Sequence, residues 1–270
     1  MIEHLLHPLV CERFKSDARY REGHLRVINA LPRRRVLGLH TPEMKEVAKQ
    51  LWREGCEIEL PDMSHKRCAN GREVIRCFES TASNTLCYEE TVIWGFLINL
   101  EKCTFAEHLA MLERYIPVLD NWAVCDSYCA NAKWMACANK EALWEFLKRY
   151  FRSSREFEVR FAIVTAMTYF LNGEWLERVF TQLDRIDFTR IASEYKAMKG
   201  KPKTAQQGTA PGAEPYYLRM GVAWLLATAL AKFPTQTREF ARSSHLPADV
   251  IRLYVRKARE SLVTRNEDAL

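Results

Sequence analysis

Residues 41–55 read Thr-Pro-Glu-Met-Lys-Glu-Val-Ala-Lys-Gln-Leu-Trp-Arg-Glu-Gly, and they contain a complete helix signal. Thr41 is a capping residue, Pro42 suits a first turn whose amide hydrogens lack partners, and Glu43 faces the positive helix end. Met44, Val47, Ala48, Leu51 and Trp52 then recur at three- and four-residue spacing, which makes one stripe to bury. Gly55 stops the helix.

The same period runs outward along most of the chain. It predicts helices over 88–100, from Thr104 with Phe105, Leu109, Leu112 and Ile116 on one stripe, and from Trp122 to about Ala138 behind an Asp120-Asn121 cap. Further helices are expected over 140–151, 158–171, 174–183, 216–232, 235–241 and 247–262. No alternating strand pattern is expected anywhere. The fold class is therefore all-α, with ten or more helices of about 10–18 residues joined by short connections. Many short antiparallel helices bury their faces only against neighbours, so a stacked helix-pair solenoid in a single domain over residues 1–270 is expected. The pair period is irregular, about 35–45 residues.

One segment breaks the rhythm. Lys196 to Pro215 is rich in Lys, Gly, Pro, Ala and Gln, has no core stripe, and is expected to be a flexible loop. Its lysines, Lys196, Lys199, Lys201 and Lys203, suit either a phosphate contact or a solvated surface excursion.

Composition narrows the class further. Among 270 residues, 40 Lys+Arg against 34 Asp+Glu give a net charge of +6, and 48% apolar with 27% charged residues is a folding composition. Ten Gly and ten Pro are too few for a turn-rich β-sandwich. A pI near 8.8 permits an anionic partner without naming one. The N-terminal stretch lacks the charged start, apolar run and small-residue cleavage site of a secretion signal. The longest apolar run, 92–100, is broken by Asn99 and falls well short of the ~20 residues that span a bilayer. Nine cysteines, an odd number, are expected as free thiols of a soluble cytoplasmic protein. His65-x2-Cys68 and Cys125-x3-Cys129 resemble zinc half-sites, but neither has a second half, so no metal or other cofactor is expected.

Three stretches put polar chemistry where the pattern calls for core. Trp122 and Asp126 lie four apart on one helix, neighbours on a single face. An indole face and a carboxylate together suit a cation. The alternative is a buried Trp122 with Asp126 capping a neighbouring helix. Arg160 sits in an apolar helix and must find a carboxylate, a phosphate or solvent. Tyr216, Tyr217 and Arg219 open another apolar helix directly after the cationic loop. For both arginines the alternative is a carboxylate partner that locks two helices. Arg33-Arg34-Arg35 is either a DNA contact or a solvated charge run.

Taken in order, Tyr88-Glu89-Glu90, Asp120-Asn121-Trp122 with Asp126, the Arg160 helix, Tyr216 to Trp224, Lys232-Phe233-Pro234 and Lys257 to Ser261 resemble the DNA alkylation repair family. These are HEAT-like-repeat alkylpurine DNA glycosylases. The resemblance runs from about Leu37 to Val263. It implies a right-handed superhelix of antiparallel HEAT-like helix pairs whose concave groove holds duplex DNA, with no deep base flipping. It implies hydrolysis of the N-glycosidic bond of N3- and N7-alkylated purines, as a monomer, without membrane or metal. On that resemblance Trp122 packs on the deoxyribose, Asp126 stabilises positive charge and places water, and Arg160 holds a phosphate. Arg219, Tyr216, Lys199, Lys201 and Lys203 join it in binding DNA. Tyr217 stands where the best-known members have a second tryptophan, a departure that either tunes activity or marks a branch that binds without catalysis. A non-catalytic helical module that binds DNA or protein is the other reading, and a helical scaffold indifferent to DNA is a third.

Overall fold

The computed structural model describes residues 1–60, 62–196, 206–207 and 214–270. These are mostly helical, with fifteen α-helices among the described residues. The chain divides into two compact units, residues 1–134 and 135–270.

In the first unit α1 is Glu3–Leu6, α2 Glu12–Ser16, α3 Ala18–Ile28, α4 Thr41–Glu54, α5 Gly71–Glu79, α6 Tyr88–Leu100, α7 Phe105–Tyr115 and α8 Trp122–Asn131. Helices α4, α6 and α8 lie side by side, while α5 packs on α4 and α6, and α7 packs on α6. Because α6 has neighbours on several sides, its first eleven residues are all buried, which is why its sequence is apolar all round instead of striped. Two glutamates at its start, Glu89 and Glu90, are buried nonetheless. Glu90 completes a capping box with Cys87. Glu89 accepts from the amides of Leu37, Gly38 and Leu39 at 2.8–3.3 Å, which fixes the approach to α4. Burial pushes its carboxyl up. A short helix α9, Trp134–Cys137, follows α8.

The second unit holds α10 Lys140–Phe151, α11 Glu156–Tyr169, α12 Leu176–Asp184, α13 Tyr216–Lys232, α14 Pro234–Ser243 and α15 Ala248–Glu260. Again alternate helices adjoin: α11 packs on α13 and α13 on α15, with α10 against α11 and α12, and α14 against α13. Trp144, Phe170 and Trp175 form its aromatic centre, with ring centroids 4.9–5.4 Å apart. In both units, these helices pack against neighbours two helices away in sequence.

The helix over 41–54 is as expected and Gly55 ends it with a left-handed φ of 63°, but its cap position is His40, with Thr41 already helical and no side chain capping the start. The expectation of no strands is corrected. Cys56–Glu59 (β1) and His65–Cys68 (β2) form an antiparallel pair, with Cys56 opposite Cys68. Three of the four β2 residues are exposed, so the strand has no apolar alternation to read. The helix expected from Trp122 to Ala138 is two helices. Asn131 turns its side-chain amide back to the Ser127 carbonyl at 2.7 Å, and Ala132 leaves helical geometry (ψ 56°). Tyr195–Lys196 (β3) pairs with Gln206–Gln207 (β4). The rest of the loop expected over 196–215, up to residue 213, lies outside the described residues, and with it Lys199, Lys201 and Lys203. All nine cysteines are free thiols. No helix among the described residues is long and apolar enough to cross a membrane.

Candidate functional site

In the first unit the site is built at the start of α8. The sequence puts Asn121 before Trp122, and the Asn121 side chain caps the helix by accepting from the Ala123 amide at 2.8 Å. Its other end donates to the Ile28 carbonyl at 2.8 Å. Trp122 Nε1 donates to the Val27 carbonyl at 3.2 Å. These carbonyls belong to the last turn of α3, where no intrahelical partner exists. Asn29, left-handed at φ 50°, turns the chain away and leaves them facing α8. One helix end therefore satisfies its orphan acceptors with the two residues that begin another.

Along α8, Val124, Cys125, Tyr128 and Cys129 point into the core. Trp122, Ala123, Asp126, Ser127 and Ala130 form the opposite face, exposed or half-exposed. The indole and the carboxylate thus rise one turn apart from a floor of small residues. The alternative of a buried Trp122 is excluded by this placement. The preceding residue, Asp120, does not cap α8. It is buried and accepts from Arg34 Nε at 2.9 Å and from Arg33 at 3.3 Å. Arg35 pairs with Glu3. Arg34 is therefore bound within the unit, which corrects both a DNA contact and a solvated position for that residue, whereas Arg33 and Arg35 stay exposed beside their carboxylates.

In the second unit the placement differs from expectation. Arg160 is 4% exposed and Tyr217 7%, so neither presents its side chain to a phosphate or a sugar. Arg160 donates to the Tyr217 carbonyl instead. Glu156, one turn earlier on α11 and also buried, accepts from the amides of Tyr217 and Leu218 at 2.6 and 3.1 Å and from the Ser193 hydroxyl. Burial pushes the Glu156 carboxyl up, against the pull of those donors and of Arg160. Together Glu156 and Arg160 grip the first turn of α13. Gly221 leaves room for the guanidinium, since a Cβ there would sit 3.3 Å from it. Arg219 pairs with Asp249 on α15 and with Glu214, the carboxylate-partner alternative for that residue. Tyr216 is half-buried, and burial raises its phenol.

The family model of the DNA alkylation repair enzyme matches residues 15–195, about two thirds of the chain. The chain belongs to the DNA alkylation repair enzyme family. No curated protein and no solved structure matches it. The family match includes Trp122, Asp126 and Arg160, and it ends before Tyr216, Tyr217 and Arg219. It begins earlier than the sequence resemblance does, and so takes in α3, the helix that holds Trp122.

For this member of the repair family, one group among the described residues, Glu3, Cys87 and Glu90, brings three potential metal ligands within 4.8 Å of one another. All three have other work. Glu3 pairs with Arg35, Glu90 accepts from the Cys87 and Ile2 amides, and burial, with Glu90 beside it, pushes the Cys87 thiol far up.

Val27 and Glu156 escaped the sequence reading, and Asn121 entered it as a cap but not as the bridge to α3. For Glu156 a signal existed, because it stands four residues before Arg160 in an apolar helix. Asn121→Ala is expected to cost about 1–2 kcal/mol, by loss of a cap and of the donor to Ile28. Asn121→Asp keeps the cap alone and should fall between, and denaturant unfolding separates the three proteins. A loss under about 0.5 kcal/mol for Asn121→Ala would show that the bridge to α3 carries nothing.

The α3 helix adds a pH dependence. His24 packs edge-on against Phe14 and His40, both with centroids 5.3 Å away, and Tyr20 shares a hydrogen bond with His40 at 3.0 Å. Burial, then the charge of His40, lowers the His24 pKa from its ordinary 6.5. An unfolded chain therefore takes up this proton more readily than the native one. The His24 contribution is complete above pH ~6.5 and is lost as pH falls through the lower native value. Melting scans between about pH 8 and pH 5 should show a decline that His24→Phe flattens. An unchanged acid limb in that variant would assign the decline to other groups.

Proposed function

We propose that this repair enzyme is a DNA glycosylase of base excision repair that hydrolyses the N-glycosidic bond of cationic N3- and N7-alkylated purines in duplex DNA. The observation that carries the reading is the Trp122–Asp126 pair, side by side on the half-exposed face of α8 with Trp122 tethered to α3. The lesion chemistry needs little else. An alkylated purine already carries positive charge and departs as a neutral base, so no strong general acid is required. As the bond from C1′ to the purine nitrogen breaks, the charge passes to the sugar ring. A carboxylate beside that ring stabilises it, and an indole face does so less strongly. Water then bonds to C1′, and its proton passes to Asp126 and on to solvent.

Within each unit the side-by-side packing of alternate helices supports HEAT-like helix pairs. In the second unit, Arg160 and Tyr217 serve this reading as positioning residues for the start of α13, through Glu156. Tyr216 and the lysines Lys199, Lys201 and Lys203 are the proposed DNA contacts of that unit. The substrate is double-stranded DNA, and neither metal nor other cofactor enters the chemistry.

The test is release of 7-methylguanine or 3-methyladenine from methylated duplex DNA, measured by chromatography against spontaneous loss. Release by the wild type supports the reading. Binding of the same duplex without release of either base would make the chain a DNA-binding module instead.

A further inference from the structure

In the second unit, a cleft of about 150 Å³ opens between the turn that joins α10 to α11 and the segment that follows α12. Arg152 and Ser154 wall it on one side and Arg185, Asp187 and Arg190 on the other, with Gln182 between. We infer that this cleft is an oxyanion site that takes a backbone phosphate of DNA.

Two features make it a built site and not a chance gap between loops. Its walls are pinned together: the Ala192 amide donates to the Ser154 carbonyl at 2.8 Å, beside the parallel bridge of Arg155 to Ala192. Each wall is also braced from within. Ser153 donates to Glu158 at 2.7 Å, and Asp187 accepts from the amide and hydroxyl of Thr189 at 3.0 and 2.6 Å. The Thr189 hydroxyl and amide hold the Asp187 carboxyl below its usual range.

Charge is the second feature. Several arginines elsewhere in this unit pair with carboxylates: Arg155 with Glu158, Arg178 with Glu141, Arg219 with Asp249 and Arg238 with Glu267. Arg152, Arg185 and Arg190 make no ion pair with a carboxylate of the described residues, although they stand around one cleft. Asp187 is the single acidic residue lining it, and its carboxylate accepts from Thr189. Three arginines, Ser154 and Gln182 line this small volume, and a guanidinium fork suits the planar, multidentate donor pattern that phosphate oxygens accept. Three arginines against one carboxylate leave the cleft an excess of two positive charges for an anion to neutralise.

The assignment rests on the proposed function only in taking DNA as the carrier of the phosphate. Its test uses unmodified, dye-labelled duplex and the full chain, so it is independent of base release. Anisotropy titrations over about 0.05–0.3 M salt compare the wild type with Arg152→Glu and with the double variant Arg185→Ala, Arg190→Ala. The double variant should bind about tenfold more weakly at ~0.15 M salt, with a salt slope shallower by about one unit for one lost phosphate contact. Arg152→Glu should weaken binding further, and circular dichroism melts confirm that all three proteins fold. Unchanged affinity and slope in both variants would overturn the assignment. Titration with inorganic phosphate, followed by amide NMR shifts at Ser154 and Arg190, separates the sources. Shifts there, combined with undiminished DNA binding by the variants, would make the cleft a free-phosphate site and end the DNA assignment. Loss of DNA affinity in the variants of a wild type that releases no methylated base would uphold the cleft and defeat the glycosylase reading.

Discussion

Asp126→Asn should release 7-methylguanine from methylated duplex at least about 100-fold more slowly than the wild type, the loss typical of one preorganised electrostatic group in a water-poor site. The substitution keeps the size and shape of the side chain, removes its charge and exchanges one acceptor oxygen for an amide donor. Because Asp126 is half-exposed, the unfolding midpoint should move little. Trp122→Ala should cost about tenfold, since an indole face contributes roughly 0.5–2 kcal/mol to a neighbouring cation, and Trp122→Phe should recover part of that. The ordering matters as much as the sizes. If Asp126→Asn releases base as fast as the wild type, the catalytic role of α8 is lost. If Trp122→Ala is more damaging than Asp126→Asn, the indole is the main stabiliser and the carboxylate is not.

Much of the fold that positions this pair is legible in local spacing. The helices 88–100, 140–151 and 216–232 have the bounds the apolar pattern predicts, because each opens at a cap or a proline and buries a wide face. Where a helix buries little, the pattern fails. In α3 only Ile28 is fully buried, so no stripe announces it, although this helix holds both Asn121 and Trp122. The helix α5 follows a hairpin whose second strand is three-quarters exposed, and nothing in that strand hints at a pairing partner.

The candidate site divides in the same way. Trp122 and Asp126 are four apart on one helix, so their juxtaposition follows from helical geometry alone. Arg160 and Tyr217 come from distant helices, and burial can be read only once both are placed. The sequence alone leaves Arg160 to find a carboxylate, a phosphate or solvent, and the family resemblance implies the phosphate. Packing supplies it instead with the Tyr217 carbonyl and a glutamate one turn away.

The Arg34–Asp120 pair joins residues 86 apart, and no spacing rule could have found it. It also carries the largest expected effect on stability. Arg34 is buried, and its guanidinium donates to Asp120 at 2.9 Å, to the Leu86 carbonyl at 2.9 Å, to the Val118 carbonyl at 3.3 Å, and to the Ser83 carbonyl. Arg34→Leu takes from the buried Asp120 carboxylate its buried charged donor, leaving it the more exposed Arg33, and removes the donor of three carbonyls. The expected cost is about 3–5 kcal/mol, a large fraction of the ~5–15 kcal/mol that holds an ordinary domain folded, and a fall of roughly 10 °C in melting temperature. Arg34→Lys should rescue little of it, because a single ammonium cannot reproduce the fork. Arg33→Ala removes a more exposed partner of the same carboxylate, and should cost under about 1 kcal/mol. The double variant Arg34→Leu, Asp120→Asn should recover part of the loss, since the buried charge that Arg34 helped to compensate is gone. An Arg34→Leu protein no less stable than Arg33→Ala would mean that water reaches Asp120. The bonds of Asn121 and Trp122 to α3 would then matter more to the turn ahead of α8 than the Arg34 pair does.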